Sequence, residues 1–146
     1  MNSTLVICKP DAVERGLVGQ ILSRLESRTL RIAAAELRTI DKVVAGQHYG
    51  EHLGEPYYED LLAFITRGPS LILVVEGPEN VHAIVRTMMG ATDPAQAAPG
   101  TIRGDLAIST TENLIHGSDS HESAAREIAL FFPETVTQVV TGGSDA

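Results

Sequence analysis

The sequence predicts an α/β sandwich of ferredoxin-like type: a four-stranded antiparallel sheet with helices on its faces, extra helices and one long loop. Three observations lead there. Apolar runs and helical-period segments follow the order β-α-β-(α-α)-β-α-β-α, which makes two βαβ units sharing one sheet. The runs Thr4–Cys8 and Leu71–Val75 are continuously apolar or nearly so, as befits strands covered on both faces. Neither G-x-G-x-x-G nor G-x-x-x-x-G-K-[ST] occurs, which weakens the competing readings as an open Rossmann-type sheet or a P-loop kinase.

Thr4–Cys8 ends at Lys9-Pro10, where proline forbids further ladder pairing. Asp11 and Glu14 have the spacing of a capping box. The next helix carries Leu17, Val18, Ile21, Leu22 and Leu25 on one face, after an irregular start near Gly16. Leu30–Ile40 is strand-like, with Ala33, Ala34 and Ala35 permitting close packing. Asp41–His52 has moderate helical character and stops at Gly54-Glu-Pro56. Pro56 suits the first turn of a helix with Tyr57, Leu61, Leu62 and Ile65 on its face. Gly68-Pro69 precedes Leu71–Val75, and Val81, Ile84, Val85, Met88 and Met89 then recur at helical spacing up to Gly90, a candidate C-cap. Ala91–Asp105 lacks periodicity and reads as a long loop, the kind that is functional, an interface or disordered. Leu114–Gly117 is the last strand, followed by a helix with Ala124, Ile128 and Phe131 inward. Thr141–Ala146 reads as a flexible tail.

The 146 residues suit one domain with a substantial core. No apolar stretch reaches the length of a membrane span, and no signal-peptide pattern opens the chain. Cys8 is the single cysteine, so no intrachain disulfide can form, which fits a cytoplasmic location. A net charge of −8 argues against general nucleic-acid binding. Lys9 and Lys42 are the only lysines, so the placing of Lys9, Arg86 and Arg103 says more than the total charge.

Asn113-Leu-Ile-His116-Gly-Ser-Asp-Ser120 is the most informative stretch. A short apolar run delivers one histidine to a polar turn ahead of a helix. Neutral imidazole is nucleophilic and can accept a phosphoryl group, and backbone N–H groups at a helix start favour the incoming charge. Taken alone, the same residues also describe a turn histidine beside an ordinary cap. Likewise Lys9 alone reads equally as a strand-end charge, and Arg86 as a solvated helix residue. His48-Tyr-Gly-Glu-His52 fits H-x-x-E-H, an inverted zinc-protease signature, but Gly50 would fall inside the helix that signature requires.

Together with Lys9-Pro-Asp11, His48-Tyr49, Pro56-Tyr57, Arg86, Gly90-Ala-Thr92-Asp-Pro94 and Pro99-Gly-Thr-Ile-Arg-Gly-Asp105, that stretch resembles the nucleoside diphosphate kinases from about Ser3 to Pro133. The resemblance implies a single domain over 1–140 and a ping-pong phosphotransferase that maintains nucleoside triphosphate pools. His116 would carry the phosphoryl group on Nδ1, and Glu127 would orient its ring. Lys9, Arg86, Thr92 and Arg103 would bind phosphates. Tyr49 would contact the catalytic site, Asn113 the sugar, and Ser118 would support the histidine. Tyr57 and Leu61 would form the lip that stacks on the base, a tolerant mode because every base offers a π-face. Mg²⁺ would arrive on the nucleoside triphosphate, with no dedicated protein metal site. The resemblance further implies a homo-oligomer, a hexamer in preference to a tetramer.

Four positions depart from the family pattern. Thr29 stands in place of a glycine, so its turn is expected to be built differently. Thr110 replaces an apolar residue beside the base. Glu112 occupies a position that is basic in some members of the family and is expected to add negative charge near the phosphates. Tyr57 replaces the more usual phenylalanine.

Overall fold

The computed structural model describes residues 1–134; the predicted tail at 141–146 and the domain limit at 140 lie outside them. The elements are β1 (Asn2–Cys8), α1 (Pro10–Glu14), α2 (Val18–Ser27), β2 (Arg31–Arg38), α3 (Lys42–His48), α4 (Tyr58–Ile65), β3 (Ser70–Gly77), α5 (Val81–Met89), α6 (Ile102–Leu106), β4 (Ile115–Gly117) and α7 (His121–Phe131), with a 3-10 turn at Gly50–His52. The sheet order is β2-β3-β1-β4, and every pairing is antiparallel. This is the predicted ferredoxin-like sandwich.

Strand periodicity assigns the two faces. Val6 and Cys8 of β1, with Leu73 and Val75 of β3, pack under α2 and α5 against Ile21, Leu25, Val85 and Met89. Their neighbours Leu5, Ile7, Ile72 and Val74 point the other way, into a second core with Ala45, Tyr49, Ile65 and Phe131 from α3, α4 and α7. The two central strands are therefore apolar throughout because both their faces are covered. β4 keeps the same alternation. Ile115 belongs to the first core, so His116 must emerge on the side covered by α3 and α7.

Several local expectations are corrected. Asp11 does not begin a capping box: Lys9 is the N-cap and Pro10 opens α1. The helix after Lys9 divides into α1 and α2 at Gly16, whose φ of 69° is costly for a side chain but free for glycine. α3 stops at His48, and Asp41 caps it by accepting from the Val44 N–H at 2.9 Å. Pro56 precedes α4, whose N-cap is Tyr57. The long loop contains the short helix α6, capped by the Thr101 hydroxyl, which accepts from the Gly104 N–H.

The turn expected to be built differently at Thr29 carries a left-handed residue. Thr29 adopts φ 60°, the left-handed conformation a glycine would take without strain. Its hydroxyl donates to the Arg28 carbonyl, a local compensation. Thr29→Gly is therefore expected to stabilise the fold by about 0.5–1 kcal/mol, read as a higher urea midpoint at unchanged slope. A lower midpoint would mean that the hydroxyl contact outweighs the backbone strain.

Candidate active site

The strand end, α3, α7 and α6 converge on one cleft of about 590 Å³. It is lined by Lys9, Tyr49, Tyr57, Leu61, Arg86, Thr92, Arg103, Asn113, His116 and Glu127. Every predicted site residue except Ser118 thus borders a single space, and Ser118 is fully buried directly behind it.

His116 sits at the centre. Its Nε2 lies 2.9 Å from Glu127 Oε1, and Ser118 Oγ donates to the same oxygen at 2.7 Å. Ser118 in turn accepts from the Leu5 N–H of β1 at 3.2 Å. Glu127 is 4% exposed; burial pushes its carboxyl up, but the hydrogen bonds from His116 and Ser118 outweigh it and hold the group below the ordinary range. An ionised carboxylate only accepts hydrogen bonds, so neutral His116 must carry its proton on Nε2. That leaves Nδ1 with a bare lone pair.

The approach to His116 is cationic. Lys9 is buried at the N-cap of α1, and its ammonium donates to Asn113 Oδ1 at 2.9 Å. Burial, with Arg103 nearby and against the pull of Asp11, lowers Lys9 to about 8. Arg103 spans three backbone carbonyls, those of Gly90, Asn113 and Ile115. Burial, then the neighbouring Arg86, lowers Arg103 to about 10. Arg86 reaches across from α5 to the Gly117 carbonyl at 3.0 Å. The strand end at Gly117 also packs closely on α5, where a Cβ would lie 2.7 Å from Met89 Sδ.

Asn113 spends its amide on Lys9 and on the Thr92 carbonyl, which ties the strand end to the start of the long loop. Tyr49 is buried among rings, and burial with Glu127 nearby pushes its phenol up to about 12, so it stays protonated as a donor. Tyr57 is 46% exposed at the lip, and its backbone carbonyl accepts from the Leu61 N–H one turn on. Thr110 borders the same cleft. Glu112 does not: Arg67 holds it at 2.9 Å, together with Glu14. The expected negative charge near the phosphates is therefore neutralised by a pairing remote in sequence.

Two residues escaped the sequence reading. Asp11 is buried, and its Oδ2 accepts from the Leu114 N–H at 3.1 Å. It thereby holds Leu114 at φ 76°, the backbone bend just before His116. The other is His48, whose ring meets that of His116 edge-on with centroids 4.6 Å apart. The zinc-protease signature fails geometrically, since α3 ends at His48 and His52 lies in the 3-10 turn with its Nδ1 on the Tyr57 hydroxyl.

Among the described residues, the cluster of metal-type donors is His48, His116 and Glu127. Two imidazoles and one carboxylate do not make an oxygen shell of the kind Mg²⁺ demands.

A profile of the nucleoside diphosphate kinase family matches residues 2–136. The chain belongs to the nucleoside diphosphate kinase family. It is 60% identical over 134 residues to a nucleoside diphosphate kinase of Thermomicrobium roseum, covering 92% of this chain and 89% of that protein. Identity to the Mycobacterium leprae nucleoside diphosphate kinase is 59% over 131 residues, with coverage of 89% and 96%. Among solved structures, the chain is similar to the halophilic nucleoside diphosphate kinase of Halobacterium salinarum in complex with CDP. The TM-score there is 0.87 at 47% identity, covering 90% of this chain and 87% of that one. No helix among the described residues is long and apolar enough to cross a membrane. Members of the nucleoside diphosphate kinase family act as phosphotransferases, a chemistry that depends on positioning and on cations around the phosphates.

Proposed function

We propose that this chain is a ping-pong nucleoside diphosphate kinase whose phosphoryl carrier is Nδ1 of His116. One observation supports it above the others: the hydrogen bond from Nε2 to buried, ionised Glu127 leaves the opposite nitrogen with a bare lone pair, in a cleft that Lys9, Arg86 and Arg103 also line. Nδ1 attacks the γ-phosphorus of a nucleoside triphosphate. The N–P bond forms as the bond from phosphorus to the β–γ bridging oxygen breaks, and the nucleoside diphosphate departs. The imidazole gains positive charge while Nε2 keeps its proton, and the Glu127 carboxylate balances that charge at contact distance. A second nucleoside diphosphate then takes the phosphoryl group by the reverse sequence. Ser118 is a positioning residue, fixing Glu127 rather than touching substrate.

Lys9, Arg86 and Arg103 hold the phosphates, Arg86 and Arg103 through paired N–H donors and Lys9 as a point charge. Thr92 and Asn113 add neutral contacts, Asn113 toward the sugar, and Tyr49 donates its hydroxyl near His116. Tyr57 and Leu61 take the base. Mg²⁺ would arrive with the nucleoside triphosphate and, when bound, would help neutralise the charge of its phosphates. The acting form is a cytoplasmic homo-oligomer, a hexamer in preference to a tetramer; sedimentation equilibrium separates the two and would reveal a monomer.

Incubation with γ-labelled ATP and Mg²⁺, isolation of the protein, and addition of unlabelled GDP tests the reading. The expected result is acid-labile label on the protein that leaves as GTP. Absence of label at saturating nucleotide would discard it in favour of a nucleotide-binding role without transfer.

The charge state of Lys9 predicts a pH dependence. Its pKa is depressed to about 8, so it is cationic below that value and neutral above it. In the free enzyme kcat/KM is expected to fall as pH rises through about 8. The kcat itself should fall only at higher pH, because bound polyphosphate stabilises the ammonium. Lys9→Met should abolish the step. A kcat/KM profile flat from pH 7 to 9.5 would show that the Lys9 ammonium is not depressed in the free enzyme, and a Lys9→Met variant with unchanged kcat/KM would remove it from phosphate binding.

A further inference from the structure

We propose that His48 is a further catalytic residue: the Nε2–H of its neutral ring donates a hydrogen bond to the phosphoryl group as that group arrives on His116. The proposal rests on the phosphohistidine reading above. His48 is the last residue of α3, 5% exposed, with its ring packed against Tyr49 and Phe131 at centroid distances of 4.7 and 5.4 Å. Its edge-on contact with His116 at 4.6 Å is the closest of the three, and it lines the same cleft.

The two nitrogens of this ring are not equivalent. Nδ1 is sealed from solvent with no hydrogen-bond partner. Nε2 is not sealed in this way, and it is the nitrogen left to the cleft side. Neutral imidazole has one N–H and one lone pair. A buried unpartnered N–H is rarer and costlier than a buried unpartnered acceptor, so the proton belongs on Nε2. Burial, with His116 and Lys9 close by and only Glu127 opposing, lowers His48 to about 3, so the ring offers this donor without adding charge. One nitrogen of His48, one of His116 and a Glu127 oxygen lie within 4.8 Å of one another, so His48 brings a ring nitrogen into the immediate surroundings of the phosphoryl carrier. A phenylalanine would pack at this position without an orphaned nitrogen, and that cost is offset if the other nitrogen binds phosphate.

The test is the single-turnover rate of phosphoenzyme formation from γ-labelled ATP in the full chain, compared with three variants. His48→Phe keeps the ring and loses the donor; a 10- to 100-fold lower rate with nucleotide KM changed less than threefold is expected. His48→Gln places an amide nitrogen near the imidazole Nε2 and should recover part of the loss. His48→Asn places one near Nδ1 and should not. A Phe variant as fast as the wild type, or equal rescue by Asn and Gln, overturns the proposal. The ¹⁵N tautomer of His48 is read on the unphosphorylated protein, where a protonated Nδ1 overturns it whatever the kinase activity. Failure of the wild type to label condemns the phosphohistidine reading itself, and this role of His48 with it.

Discussion

Replacing His116 with alanine is expected to eliminate phosphoenzyme and to lower nucleoside diphosphate kinase turnover by at least about 10⁴-fold, the scale of losing a covalent nucleophile that no neighbour replaces. His48 does not substitute, because its ring is sealed on one side and its cleft edge carries a proton rather than a lone pair. The fold should survive the change. His116 is half-buried at a strand end rather than in either core, so the denaturation midpoint should shift little. Ser118 and Glu127 keep each other as partners. Nucleotide binding should persist, since Lys9, Arg86 and Arg103 are untouched. Measurement of turnover, acid-labile label and nucleotide affinity on one preparation separates the outcomes. Retained turnover would sink the covalent mechanism; lost binding would show that His116 helps to build the cleft.

Arg103→Met is expected to damage both folding and catalysis. Arg103 is 5% exposed, and its guanidinium donates to three main-chain carbonyls from two segments, Gly90 after α5 and Asn113 and Ile115 at the start of β4. Hydrogen bonds from charged donors contribute about 1.5–3 kcal/mol each, and stranded carbonyls add a penalty. Against this, the burial that lowers Arg103 to about 10 shows that its charge is held at a cost, which methionine would relieve. A net loss of about 3 kcal/mol is the expected balance, read from urea unfolding. A loss of about 10²–10³ in kcat/KM should accompany it. Wild-type stability in the variant would mean that the loop and strand carry their own hydrogen bonds.

The sequence exposed whatever is written in short-range pattern. Thr4–Cys8 and Leu71–Val75 are apolar on both faces, and the structure covers both faces. His116 declared itself because the strand, the Gly-Ser-Asp-Ser turn and the next helix are contiguous. Features that depend on remote partners stayed hidden. Asp11 has capping spacing locally, yet its partner is the Leu114 amide, distant in sequence. Glu112 looked like a charge aimed at phosphate until Arg67 proved to hold it. α6 is five residues long and includes Gly104, too short for a period to show. His48 drew notice through its place beside Tyr49 in a matching stretch and through a spacing motif whose helix ends before its second histidine, and neither gave it a role. The geometry that gives His48 a chemical reading lies in ring contacts that no local pattern encodes.

The Ser118 hydroxyl joins two things usually kept apart. It fixes the acid that orients His116, and it accepts the main-chain N–H of Leu5 in the middle of the sheet. Leu5 is fully buried, and β1 lies between β3 and β4. Amides in such strands exchange with solvent only through the largest opening reactions of a protein, whereas many enzymes hang their chemistry on segments that open early. The orientation of the nucleophile is thereby tied to the cooperative unfolding unit. Fraying at the surface leaves it in place, and catalytic competence is lost together with the sheet rather than ahead of it.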